Sequence, residues 1–161
     1  MSKKVAKTNA MRLLDTHSVP YREIVYDIDD GEIDGMSVCR KVGAEPAMFF
    51  KTLVAKSREK KIYVLVIPVL EHLDLKKAAK VIGEKHIDMV EVKELLGLTG
   101  YIRGGCSPIG MKKAYPTYYQ QSLLNHEEIV VSGGRQGLLI GLAPADLLLM
   151  TQGKTADLIV R

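Results

Sequence analysis

The stretch Ile62-Tyr63-Val64-Leu65-Val66-Ile67 constrains this chain more than any other part of it. It carries no charge and is dominated by β-branched and aromatic residues, which predicts a strand. A strand with one wet face alternates apolar and polar residues. This one does not, so both of its faces must be covered by the rest of the chain. With 161 residues, 47% of them hydrophobic and 26% charged, enough apolar surface exists for one folded domain over residues 1–161.

The remaining elements follow from periodicity and punctuation. Residues 8–16 place Met11, Leu13 and Leu14 at helical spacing behind Thr8 and Asn9. Residues 22–28 alternate through Ile24, Tyr26 and Ile28 and predict a short strand. A turn-rich DDGEIDG precedes a helix over 36–42, which Gly43 is placed to end. Residues 51–55 predict a second strand, separated from the 62–67 run by a charged turn at 56–61. Asp74 reads as the cap of a helix through 81, with Leu75, Ala78, Ala79 and Ile82 as its apolar stripe and Gly83 as its stop. Lys76, Lys77 and Lys80 fall on the other face. A short helix is expected at 91–96. The segments 129–131 and 138–140 predict a hairpin around SGGRQG, and Pro144 starts a helix over 144–150. Short connections favour antiparallel neighbours. The fold class is therefore α+β (mixed α/β): one mixed, largely antiparallel sheet flanked by helices.

Several functions are disfavoured by what the chain lacks. No uncharged apolar run reaches the roughly 18 residues a membrane helix needs, and MSKKVAKTNA has no apolar segment behind its charges, unlike a secretory signal. Two cysteines, Cys39 and Cys106, are too few for a disulfide framework and suit a reducing cytoplasm. The net charge of +4 is compatible with a phosphate-bearing partner. Tryptophan is absent and aromatics are 6%, a poor composition for stacking many unpaired bases. There is no nucleophile elbow, no P-loop and no dinucleotide fingerprint. His17, His72, His86 and His126 are scattered without metal-ligand spacing, so surface or turn positions are expected for them.

Three features carry potential chemistry. Lys51 sits between Phe50 and Thr52-Leu53-Val54. It is either an edge-strand residue with its amine in water or a cation aimed into a cleft. Gly104-Gly105 and Gly133-Gly134 allow backbone N–H groups to approach an anion or oxyanion, although each pair also suits a tight bend. Cys106 follows the first pair and is a candidate thiol nucleophile, while Cys39 reads as a small core residue.

Together the segments KTNAMRLLD, FKTLV (50–54), LDLKKAAKVIG (73–83), GYIRGGCSPIGMKK (100–113), VSGGRQGL (131–138) and APADL (143–147) resemble the YbaK/EbsC family. These are aminoacyl-tRNA deacylases related to the editing domain of prolyl-tRNA synthetase, and the Cys-tRNA(Pro)/Cys-tRNA(Cys) type is the nearest in look. The resemblance implies a partly barrel-like sheet, an aminoacylated tRNA as partner, prolyl-tRNA synthetase as a possible second, and no cofactor, metal, membrane or DNA. It implies trans-editing in which the cysteine's own thiol attacks its carbonyl. Lys51 matches the family's essential lysine. Tyr26, Thr52, Gly104 and Ser132 match pocket positions, with the Gly104 and Gly105 amides as oxyanion donors. The chain departs from the family pattern at Cys106 and at Leu139 and Gly141, which bears on which amino acid is removed. Two alternatives stand beside this reading: a tRNA- or nucleotide-binding module without chemistry, and a deacylase of another mischarged tRNA such as Ala-tRNA(Pro). A third, a hydrolase or transferase acting on small molecules, would use Cys106.

Overall fold

The structure, a computed structural model, describes residues 6–161; the start of the basic N-terminal stretch read above lies outside them. Thirteen helices and strands alternate irregularly along the chain: α1 (Asn9–Thr16), β1 (Arg22–Val25), α2 (Gly35–Val42), β2 (Phe50–Ser57), β3 (Ile62–Pro68), α3 (Leu75–Ile82), β4 (Ile87–Met89), α4 (Val92–Thr99), β5 (Thr117–Gln120), β6 (Ile129–Arg135), β7 (Leu138–Leu142), α5 (Pro144–Thr151) and β8 (Lys154–Ala156).

β3 carries the uncharged 62–67 run, and its position explains its composition. It lies at the centre of a five-stranded sheet ordered β4-β2-β3-β5-β8, antiparallel to β2 and parallel to β5. Val64 and Val66 face one core with Phe50, Tyr119 and Ile140, whereas Leu65 and Ile67 face another with Ala78, Ala79 and Ile87. Neither face can hold a charge.

The expectation of one sheet is corrected to two. β1, β7 and β6 form a separate antiparallel sheet, joined to the larger one among the described residues by an isolated bridge between Phe49 and Val130. Val131, Leu138 and Ile140 from this sheet share their core with Phe50, Val64 and Val66, so burial holds the sheets together where hydrogen bonds do not. β1 also stops earlier than expected. Beyond Tyr26 the Asp27 and Asp30 carboxylates accept the Asp29 and Glu32 N–H groups at 3.0 Å each, which turns the chain away. In the hairpin, 132–135 are not the loop: they continue β6 through a bulge, and Gln136 and Gly137 make the turn. β4, β5 and β8, three or four residues each, are too short to show in the sequence pattern.

Asp74 caps α3, and Gly43 and Gly83 end α2 and α3 in left-handed conformation, as expected; Asp34, read only as part of a turn, caps α2. On α3 two side chains differ from expectation. Leu75, in the first turn, is exposed rather than buried. Lys77 does not face open solvent; its ammonium donates to Asp157 at 3.1 Å and to the Ile159 carbonyl at 2.8 Å. It clamps the C-terminal segment, which leaves Lys76 and Lys80 as the exposed pair. Among the described residues no helix is long and apolar enough to cross a membrane.

Thr8 connects α1 to the bulge. Its Oγ1 accepts the Met11 N–H at 3.2 Å and donates to the Gly133 carbonyl at 2.6 Å. Thr8→Ala therefore removes a cap and orphans a buried carbonyl, lowering the unfolding free energy by about 2 kcal/mol. Urea denaturation measures this, and Thr8→Ser, which keeps both bonds, is expected to stay near the parent value.

Candidate active site

β2 begins where the two sheets meet. Phe50 is fully buried and Phe49 nearly so, which fixes the backbone on which Lys51 and Thr52 stand. Lys51 is half-buried, and its ammonium makes no ion pair or hydrogen bond among the described residues. Burial pulls its pKa below the ordinary lysine value, partly opposed by the carboxylate of Glu71. An ammonium kept partly dry and unpaired is expensive unless a ligand supplies the counter-charge.

Beside it lies a cavity of about 140 Å³, lined on its apolar side by Val38, Phe49, Val69 and Leu139 and on its polar side by Lys51, Thr52, Tyr26 and Ser132. A cavity of roughly 150 Å³ admits a molecule the size of benzene, so this one suits a small acyl side chain. The Thr52 Oγ1 is buried without a hydrogen-bond partner. Buried hydroxyls are rarely left unpaired. The Ser132 hydroxyl accepts the Gly134 N–H at 3.2 Å and keeps its own proton available.

The glycine-rich loop closes another side. Three bonds hold it: Gln136 Nε2 donates to the Arg103 carbonyl at 2.9 Å, Asn9 Nδ2 to Gly110 at 2.7 Å, and the Tyr101 hydroxyl to Ile109 at 2.7 Å. Gly104 lines the cavity at φ +81°, a conformation that favours glycine, and its N–H has no partner among the described residues. Gly105 does not join it. Its N–H is spent on the Ile102 carbonyl at 3.0 Å, and a Cβ there would meet the Arg135 Cα at 2.7 Å. The expected oxyanion donor at Gly105 is thus corrected to a packing glycine that lets the loop touch the hairpin.

Among the described residues no histidine, aspartate or glutamate lines the cavity. Cys106 does, but it is buried and burial pushes its thiol up to about 11, so it stays protonated near neutrality. Cys39 packs in the core with Val38 and Phe49. Among the described residues no three His, Cys, Asp or Glu side chains converge as a metal site.

Residue-level reading missed Gly35, Val38 and Val69. A Cβ on Gly35 would overlap the Val69 side chain, so this glycine lets α2 approach β3's end and shapes the cavity. DDGEIDG marked Gly35 only as a turn residue, since its partner lies 34 positions away.

The site is thus a small cavity in an α+β fold, with hydroxyls and an unpaired cation on its wall and, among the described residues, no activated nucleophile. Residues 36–149 match the aminoacyl-tRNA editing domain, and the chain belongs to that family: it is an aminoacyl-tRNA editing enzyme. It is 44% identical over 152 residues, 94% of its own length and 93% of the relative's, to EbsC of Enterococcus faecalis, named "Putative Cys-tRNA(Pro)/Cys-tRNA(Cys) deacylase". A crystal structure of "a putative trans-editing enzyme for prolyl tRNA synthetase" matches with TM-score 0.82 and 25% identity, covering 95% of this chain and 96% of that one. A hypothetical protein at 20% identity, covering 95% and 100%, shares the fold with TM-score 0.86.

Proposed function

We propose that residues 1–161 act as one trans-editing unit that strips mischarged cysteine from tRNA(Pro), and from tRNA(Cys). The observation that carries this reading is a cavity able to hold a small acyl group while offering no ionised nucleophile or carboxylate base. The attacking group then belongs to the substrate. The cysteinyl thiolate attacks its own carbonyl carbon, forming the C–S bond of a cyclic thiolactone. The ester C–O bond breaks, and the tRNA 3′-oxygen leaves with the proton the thiol gave up. Holding thiol and carbonyl together supplies several orders of magnitude in rate.

In this reading Lys51 binds a phosphate or the ribose end of the tRNA. Tyr26, Thr52 and Ser132 position the ester, and the Gly104 N–H faces the oxyanion. Prolyl-tRNA synthetase, which makes the error, supplies the substrate in the cytoplasm. Deacylation assays across Cys-, Ala-, Ser- and Pro-charged tRNA(Pro) test the proposal: preferential loss of cysteine supports it, and equal or absent turnover overturns it.

A Cys106→Ala variant separates this mechanism from a protein thiol. Because Cys106 is protonated and buried, its removal is expected to leave the deacylation rate essentially unchanged. Lost turnover in a folded variant would make it the nucleophile.

A further inference from the structure

Behind the wall formed by Thr52, Gly104 and Cys106 lies a second hollow, of about 240 Å³, which has no role in the reading above. Its other lining is mainly apolar. Met89 ends β4, and Val92 and Leu95 stand one turn apart on the same face of α4. Met89 and Val92 are 39% and 60% exposed, so these side chains form an uncovered apolar surface. Arg103 stands at the same hollow, and its guanidinium has no ion pair or hydrogen bond among the described residues.

We propose that this hollow is the subsite for the 3′-terminal adenosine of the charged tRNA, with the base on Met89, Val92 and Leu95 and its phosphate at Arg103. The inference rests on the deacylase reading, which places the acyl group next door. The ribose bearing that ester sits between the acyl group and the base. Thr52, Gly104 and Cys106 line both hollows, so a ribose at this ridge reaches each of them. The hollow is the larger of the two, as a purine requires compared with a cysteinyl side chain. Glu91 also lines it. Its carboxylate is paired with Lys93 at 3.1 Å, so the one unpaired charge named at the hollow is Arg103, where the phosphate goes, and the uncharged base lies on the apolar side chains.

The test uses isotope-labelled full-length protein titrated with adenosine 5′-monophosphate, with ribose 5-phosphate as control, and a Val92→Asp variant. Val92 is exposed at the first position of α4, where an acidic residue suits the helix, so the variant keeps its fold. The nucleotide is expected to shift the amides of 89–95 and 103, and ribose 5-phosphate is not. In Val92→Asp those shifts vanish, and the KM for Cys-tRNA(Pro) rises about tenfold with kcat held. Equal shifts from ribose 5-phosphate would reveal a plain anion site and overturn the proposal, as would nucleotide shifts confined elsewhere or an unchanged KM. Nucleotide shifts at 89–95 in a parent protein that fails to deacylate Cys-tRNA(Pro) support the nucleoside subsite while removing the deacylase reading.

Discussion

Lys51→Ala is expected to abolish deacylation while leaving the fold intact. The side chain makes no hydrogen bond or ion pair among the described residues, so its removal breaks no structural contact of that kind. It even relieves the desolvation that pulls the lysine pKa down. The functional loss is a charge-assisted contact worth roughly 1.5–3 kcal/mol in binding, with more at stake if the contact tightens in the transition state. Circular dichroism checks the fold, and single-turnover release of tRNA checks the chemistry. Near-parental turnover would remove Lys51 from the site. Lys51→Arg keeps the charge but swaps a compact ammonium for a planar fork, so partial activity is expected.

The pH dependence of Lys51 has two opposite signs. For function the charged form is the working one, and its lowered pKa means the charge is lost earlier on the alkaline side. The enzyme-dependent rate is expected to fall below the ordinary lysine range of about 10.4. For stability, the unfolded chain binds this proton more tightly than the folded one. The Lys51 contribution therefore rises with pH between the lowered value and the ordinary one.

Cys-tRNA(Pro) is expected to be cleaved far faster than Ser-tRNA(Pro), although the two side chains differ only in sulfur for oxygen. A pocket discriminates between such near-isosteres by only about 1–3 kcal/mol. A thiol with an unperturbed pKa of about 8.5 is partly ionised near neutrality, and an alcohol is not. Selectivity should accordingly climb as pH rises through thiol ionisation. It should be unchanged in Cys106→Ala, whose thiol is pushed up to about 11 in the parent. Equal rates on the two substrates would sink the substrate-assisted step and point to an activated water. Initial rates across pH, corrected for spontaneous ester hydrolysis, provide the measurement.

Local chemistry was legible in the sequence wherever the governing force acts between near neighbours. The caps at Thr8 and Asp74 and the stops at Gly43 and Gly83 depend on hydrogen bonds and backbone angles within one turn. The double-sided burial of β3 showed in its uninterrupted apolar run because each face needs its own partners. Lys51 stood out for the same reason, as a charge set among apolar neighbours. Only the tertiary structure decided what depends on distant segments meeting. The split into two sheets reflects which edges found hydrogen-bonding partners, and β4, β5 and β8 are held as strands by those neighbours rather than by their own residues. Gly104 and Gly105 are identical in sequence, yet one faces the cavity and the other is pressed against Arg135. Lys77 and Lys80 lie on the same helix, but only Lys77 reaches Asp157. A side chain's chemical type belongs to its own position, whereas its partner is set by how the chain folds back on itself.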